Sequence, residues 1–116
     1  MKCECLDVWK MAVDLSAEIY LYLSDLKDFG FKDQLTRSGL SVPSNIAEGL
    51  ERISDQEKIR FLDIARASAA EGMTQIYIGI KINYIEESQG KKWISSFESI
   101  SKMLSALINS IKRSAK

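Results

Sequence analysis

Apolar positions recur three and four residues apart along almost the whole chain, the period of an amphipathic helix rather than a strand. Trp9, Ala12, Ser16, Ile19, Leu23 and Leu26 make the first stripe. Val8, Leu15, Tyr22 and Phe29 make a second stripe at spacing seven. Leu35, Gly39, Val42, Ile46, Gly49 and Ile53 continue the pattern, as do Leu62, Ala65, Ala69, Met73, Ile76 and Ile80. Trp93, Phe97, Ile100, Leu104, Leu107 and Ile111 follow a strict 4-3-4-3-4 order, the seam of a helical bundle. No alternating strand pattern, internal repeat or low-complexity stretch competes.

These stripes predict four helices, over about 6–27, 31–51, 55–87 and 91–113. With short turns between them they form an all-α, antiparallel up-down-up-down four-helix bundle, a single domain spanning 1–116. Asp28, Phe29 and Gly30 read as the stop of helix 1, and Ser88, Gln89 and Gly90 as the last turn. Ser54 followed by Glu57 has the spacing of a capping box. Pro43 lies inside the second stripe and removes an N–H that Gly39 would otherwise bond. Two short helices or one bent helix both fit. The unbroken register favours one helix bent near Pro43, with Ser41 and Ser44 near the freed groups. Gly72 and Gly79 fall on one face beside Ala65 and Ala69, which predicts close helix–helix approach.

The second stripe on helix 1 widens its apolar arc beyond what one seam needs. It reads either as rim packing or as a subunit interface carrying Val8, Leu15, Tyr22 and Phe29.

Composition narrows the chemistry. The 116 residues include no histidine, one proline and two cysteines, with 16 basic and 16 acidic side chains. Without histidine there is no His-based triad, metal site or pH switch, and the E-x-x-H di-iron motif of helical bundles is impossible. Cys3 and Cys5 supply too few ligands for a structural zinc and read as free thiols of a reducing compartment. No secretory leader and no apolar run of membrane-spanning length is evident, so a cytoplasmic location is expected. No phosphate-binding loop or dinucleotide glycine pattern occurs. Neither a cofactor, a metal nor a small-molecule substrate is expected, and the reading is of a non-enzyme.

The net charge of zero conceals a separation. Residues 1–88 carry −5 and residues 89–116 carry +5. The basic set is Lys91, Lys92, Lys102, Lys112, Arg113 and Lys116. Cations near a helix C-terminus favour the macrodipole, and a basic helix can pair with acidic neighbours. It can also present a face to phosphates. Lys91 and Lys92 sit at the expected start of helix 4, where the dipole disfavours them. Glu48 and Glu71 fall among small and apolar residues, with Arg37 and Arg66 as matching cations. Arg37 with Glu71 is the candidate buried ion pair.

The stretch Gln34-Leu35-Thr36-Arg37-Ser38-Gly39-Leu40-Ser41-Val42-Pro43-Ser44-Asn45-Ile46-Ala47-Glu48-Gly49 is the least generic in the chain. With Arg52 after it, it resembles the Q-L-x-R-A/S…N-I-A-E-G signature of the 23S rRNA-intervening sequence proteins. Phe61-Leu62-Asp63-Ile64-Ala65-Arg66-Ala67-Ser68-Ala69-Ala70-Glu71 is similar to that family's F-L-x-I-A-x-G-S-x-x-E segment. Leu6-Asp7-Val8-Trp9 and Ala12 match its L-x-V-W/Y-x-x-A opening. The resemblance covers essentially the whole chain. It implies an antiparallel four-helix bundle related to the accessory protein of diversity-generating retroelements, a homopentamer that binds nucleic acid and a reverse transcriptase. The implied partners are therefore further copies of the chain, and RNA or a nucleic-acid-processing protein. Two departures stand out: the chain is neutral where nucleic-acid-binding relatives are basic, and Ala67 stands where glycine is common.

Arg37, Arg52, Arg60, Lys91, Lys92, Lys102, Lys112 and Arg113 are the candidate nucleic-acid contacts. Arg37, Asn45, Glu48, Arg52 and Glu71 are the candidate structural polar cluster, because Asn45, Glu48 and Arg52 share one helix face. Two functions follow: an oligomeric scaffold that binds RNA or an RNA–protein complex, or a protein-interaction scaffold that binds no nucleic acid.

Overall fold

The computed structural model describes residues 6–114. Cys3, Cys5 and Lys116 lie outside them. Four helices follow in order: α1 (Asp7–Tyr22), α2 (Phe29–Leu50), α3 (Asp55–Lys81) and α4 (Glu87–Ser114). Among the described residues no strand occurs. Each helix packs on its sequence neighbours, and α1 closes the ring against α4. The diagonal pairs do not meet, so the arrangement is the up-down-up-down bundle expected from the four stripes. The α2–α3 seam is the most extensive and α1–α4 the least. The 28 residues of α4 extend about 42 Å at helical rise, close to the 48 Å long axis of the molecule.

The core is the intersection of the four stripes. Ile19, Leu35, Val42, Ile46, Leu62, Ile76, Trp93, Phe97, Ile100 and Leu104 are essentially sealed from solvent. Small residues set how closely the helices approach. A Cβ on Gly72 would fall 2.9 Å from the Phe97 ring, so α4 docks through the space that glycine leaves. A Cβ on Gly49 would fall 3.0 Å from Phe61 Cβ and 3.1 Å from the Lys58 carbonyl, which fixes the α2–α3 approach.

The turns differ from expectation in three places, each for a local reason. Helix α1 stops at Tyr22 rather than near 27, because Leu23 packs into the core from outside the helix and Leu26 folds against it. Asp28 starts α2 rather than stopping α1: its carboxylate accepts the Phe31 N–H at 3.1 Å. Helix α3 ends at Lys81 rather than 87. Asn83 adopts φ 64° there, and the Tyr84 and Ile85 amides return to the Gly79 carbonyl. The turn is thus 82–86, while Ser88, Gln89 and Gly90 belong to α4. Lys91 and Lys92 consequently sit in the second turn of α4, and Lys91 pairs with Glu87 at 2.9 Å.

Two other expectations concern caps and the proline. Ser54 caps α3 by accepting the Glu57 N–H at 3.1 Å. The Glu57 carboxylate lies 3.7 Å from Arg60, so the Ser54–Glu57 pair supplies the forward half of the box. Helix α2 runs through Pro43 as one element. Ser41 does not serve the freed Gly39 carbonyl: its hydroxyl is committed to Ser68 and Asn45.

Candidate interaction surfaces

The 34–52 segment builds the α2–α3 seam, and most of its polar residues have structural partners. Asn45 Nδ2 donates to the Ser41 carbonyl at 2.8 Å and to Ser41 Oγ at 2.9 Å. Ser41 Oγ also shares a hydrogen bond with Ser68 Oγ, 2.8 Å away on α3, with either hydroxyl able to donate. One helical turn earlier, Ser38 Oγ lies 3.2 Å from Glu71 Oε1 and 3.1 Å from the Gln34 carbonyl. Ile46 and Gly49 follow these polar rungs along α2 and are buried. Leu35, Ser38, Gly39, Val42, Ile46 and Gly49 are all buried. The segment therefore reads as a register-setting zipper between two helices.

The polar cluster forms only in part. Glu48 and Arg52 pair at 3.0 Å, half exposed, and the Arg52 guanidinium lies 4.6 Å from the centroid of the Phe61 ring. Arg37 and Glu71 do not pair. Arg37 reaches back one turn to Asp33 at 2.9 Å, both exposed, and Glu71 takes the Ser38 hydroxyl instead. Neither Glu48 nor Glu71 is buried. An exposed helix position offers an i,i+4 partner at little ordering cost, and that partner wins. Arg66 pairs with Asp63 at 2.5 Å and donates to Ser105 on α4 at 2.9 Å.

The second stripe of helix 1 does not form one exposed face. Val8 and Leu15 are core residues, 4% and 5% exposed, and are unavailable to a partner. Tyr22 is partly exposed but is held by Trp93, edge-on at 5.0 Å between ring centroids, and its hydroxyl accepts the Glu86 N–H. Of the four, only Phe29 projects freely, at 70% exposure. The bundle surrounds α1 more completely than a seven-residue spacing suggests, because both α2 and α4 pack on it.

An unpartnered apolar surface does exist, rotated toward α2. Trp9, Val13, Ala17, Tyr20 and Leu21 of α1 face Leu40, Pro43 and Ala47 of α2 across a groove of about 620 Å³. No charged residue lines it. Leu21 is 71% exposed, Tyr20 59% and Leu40 52%. Tyr20 also borders a second cleft of about 580 Å³ with Phe29, Lys32 and Asp33, so the apolar strip extends toward the α1–α2 turn. Sequence periodicity missed this surface because Tyr20, Leu21 and Leu40 fall off every seam stripe. A further stripe was the signal: Trp9, Val13, Ala17 and Tyr20 recur three or four residues apart on α1, as do Leu40, Pro43 and Ala47 on α2.

The candidate cations divide into two groups. Arg37, Arg60 and Lys91 each pair with a carboxylate on their own helix, and Arg52, just past the end of α2, pairs with Glu48. Lys92, Lys102, Lys112 and Arg113 make no ion pair with another described residue and are exposed. Arg52 and Arg60 flank Phe61 at the α2–α3 turn, where Glu48, Glu51, Asp55 and Glu57 make the surroundings acidic. Among the described residues no group of three or more carboxylates or thiols is placed to hold a metal ion, and no helix is long and apolar enough to cross a membrane.

A crystal structure of a protein of unknown function from the S23 ribosomal protein family of Bacteroides thetaiotaomicron VPI-5482 has the same fold. It superposes with a TM-score of 0.82 at 28% identity, over 87% of this chain and 97% of that one. No functionally curated protein matches the chain. The family model of the 23S rRNA-intervening sequence proteins matches residues 4–106, so nearly the whole bundle, zipper and groove included, falls within it. The chain belongs to the 23S rRNA-intervening sequence protein family.

Proposed function

We propose that the protein is a non-catalytic, homo-oligomeric scaffold that associates through the α1–α2 groove and presents α4 to RNA or an RNA–protein complex. The observation that carries this reading is the uncharged groove with Tyr20, Leu21 and Leu40 largely in solvent. Contiguous apolar surface of this kind marks interaction sites rather than monomer exteriors. The resemblance to the retroelement accessory protein favours five copies. Helix α4 touches α1 and α3 but not α2, so it stays outward when the α1–α2 side is covered.

Light scattering tests the association. A mass several times the 13.1 kDa subunit is expected, and a mass near the subunit value refutes the reading. Leu21→Glu and Leu40→Glu place charge in the groove and are expected to yield folded monomers. Filter binding of structured RNA over a salt series tests the RNA half. Affinity at about 50 mM salt that weakens steeply with added salt is expected, and salt-indifferent or absent binding refutes it.

A second reading is a protein-interaction scaffold without nucleic acid. It is favoured by the acidic surroundings of Arg52 and Arg60, which weaken two of the candidate RNA contacts. Salt-independent association together with no RNA retention supports it.

A further inference from the structure

We propose that the occupant of the α1–α2 groove is the outward ridge of α3 from a second copy, so that copies associate head to tail through two different faces. The inference deepens the association reading above by naming the partner face, and it rests on that reading.

A groove does not complement itself. Two copies meeting groove to groove enclose a void, which close packing disfavours. A convex helix face fills a groove through anchors three, four and seven residues apart. This groove has no charged lining, so a face that brings few charges enters it at the least desolvation cost.

Helix α3 carries such a face. Ile64, Ala67, Ala70, Thr74, Tyr77 and Ile78 are exposed along it, and Ile82 continues the row just past its end. Among the exposed residues from Ile64 to Ile82 only Glu71 and Lys81 are charged. The large side chains Ile64, Tyr77, Ile78 and Ile82 are 37–58% exposed. Between them the ridge is narrow, and the Thr74 hydroxyl is already bonded to the Ala70 carbonyl of its own helix. From Ala67 to Ile78 the ridge runs about 16.5 Å, against about 18 Å of groove from Trp9 to Leu21. The exteriors of the neighbouring helices match less well: α1 exposes Lys10, Asp14 and Glu18, and α4 exposes Lys91, Lys92 and Lys102.

The two faces do not lie directly opposite each other. Helix α3 does not meet α1, and Glu71 on the ridge accepts from Ser38 of α2, so the ridge leans toward the α2 flank. Each copy is therefore rotated from the last, and a heterologous contact of this kind forms a ring when the rotation closes. Every copy then buries both apolar faces. A two-fold pair formed through the groove alone leaves the α3 ridge in water.

Light scattering of mixed variants of the full chain tests the assignment, with circular dichroism to confirm folding. Leu21→Glu disables the groove. Ala67→Arg and, separately, Thr74→Arg disable the ridge at exposed positions where the fold tolerates a long side chain. Each variant alone is expected at the subunit mass of 13.1 kDa. An equal mixture of Leu21→Glu and Ala67→Arg is expected to give a one-to-one pair and nothing larger, because one copy supplies an intact ridge and the other an intact groove. Ridge variants that both assemble as the wild type does overturn the assignment and leave the groove reading standing. So does a mixture that stays at the subunit mass under conditions where the wild type is fully assembled. A wild type at the subunit mass overturns both.

Discussion

Tyr84 donates its hydroxyl proton to Oδ2 of Asp28 at 2.8 Å, while Oδ1 of the same carboxylate accepts the Phe31 N–H at 3.1 Å. One aspartate thus caps α2 and ties the α1–α2 turn to the α3–α4 turn. Phe31 packs edge-on against Tyr84, 5.3 Å between centroids, and completes the clasp.

The clasp has a pH signature. The Phe31 amide first, and Tyr84 second, hold the Asp28 carboxyl below the usual aspartate range. A depressed carboxylate contributes stability above its unfolded value, about 3.9, and loses it as pH falls through the folded value. Asp28 pushes the Tyr84 phenol upward, so that contribution is present at neutral pH and lost only at strongly alkaline pH. Thermal melts between pH 6 and pH 2 (on the order of the window set by the carboxylates) should show a steeper fall for the wild type than for Asp28→Asn. Tyr84→Phe should keep most of that acid sensitivity, because the backbone bond is the larger cause. Equal pH profiles for wild type and Asp28→Asn contradict the assignment.

Ser41 is the hinge of the α2–α3 zipper. Ser41→Ala leaves the Ser68 hydroxyl and one Asn45 interaction without a partner in a half-buried seam. An unsatisfied buried polar group costs about 1–3 kcal/mol. Urea denaturation should place Ser41→Ala near the middle of that range. The double variant Ser41→Ala with Ser68→Ala should cost less than the sum of the two singles, since neither hydroxyl of the Ser41–Ser68 pair is then left facing an absent partner. Strict additivity rules out the direct coupling.

Gly72 separates helix propensity from packing. Alanine gains up to about 1 kcal/mol over glycine inside a helix. Here its Cβ would fall 2.9 Å from the ring of Phe97, a fully buried side chain that would have to shift. Overpacking costs about 1–3 kcal/mol, so Gly72→Ala should destabilise on balance. Pairing it with Phe97→Leu should recover part of the loss in a double-mutant cycle.

Much of the fold was legible because each seam stripe answers a single physical demand, burial at helical period. Leu35, Ile46, Leu62, Trp93 and Phe97 are core residues in the sequence pattern and in the structure alike. The turns were less legible. Leu23 and Ile85 are buried from non-helical backbone, so an unbroken apolar register ran past the true helix ends. Asp28 signals equally a stop and a cap. The ion pair failed for a different reason: Arg37 has Asp33 one turn back on its own helix, and the pattern does not rank that partner against Glu71 on the next helix. The groove was passed over because its own helical stripes, Trp9–Val13–Ala17–Tyr20 and Leu40–Pro43–Ala47, carry alanines and a proline where the seams carry leucine and isoleucine.

The burial difference between the two faces of α1 gives the sharpest contrast. Leu15 is 5% exposed and Leu21 is 71% exposed, six residues apart on one helix. Leu15→Ala removes core contacts and should cost about 2–5 kcal/mol. Leu21→Ala touches no core atom and should stay within about 0.5 kcal/mol in the isolated subunit. If the groove is an association surface, Leu21→Ala should nonetheless lower the melting temperature at high protein concentration and flatten its dependence on concentration, because weakened self-association removes the share of stability that mass action supplies. Melts over a hundredfold range of concentration (about 2.7 kcal/mol of linkage) separate the cases. A wild type whose melting temperature is flat across that range, and identical to that of Leu21→Ala, argues that the groove is not covered by another copy.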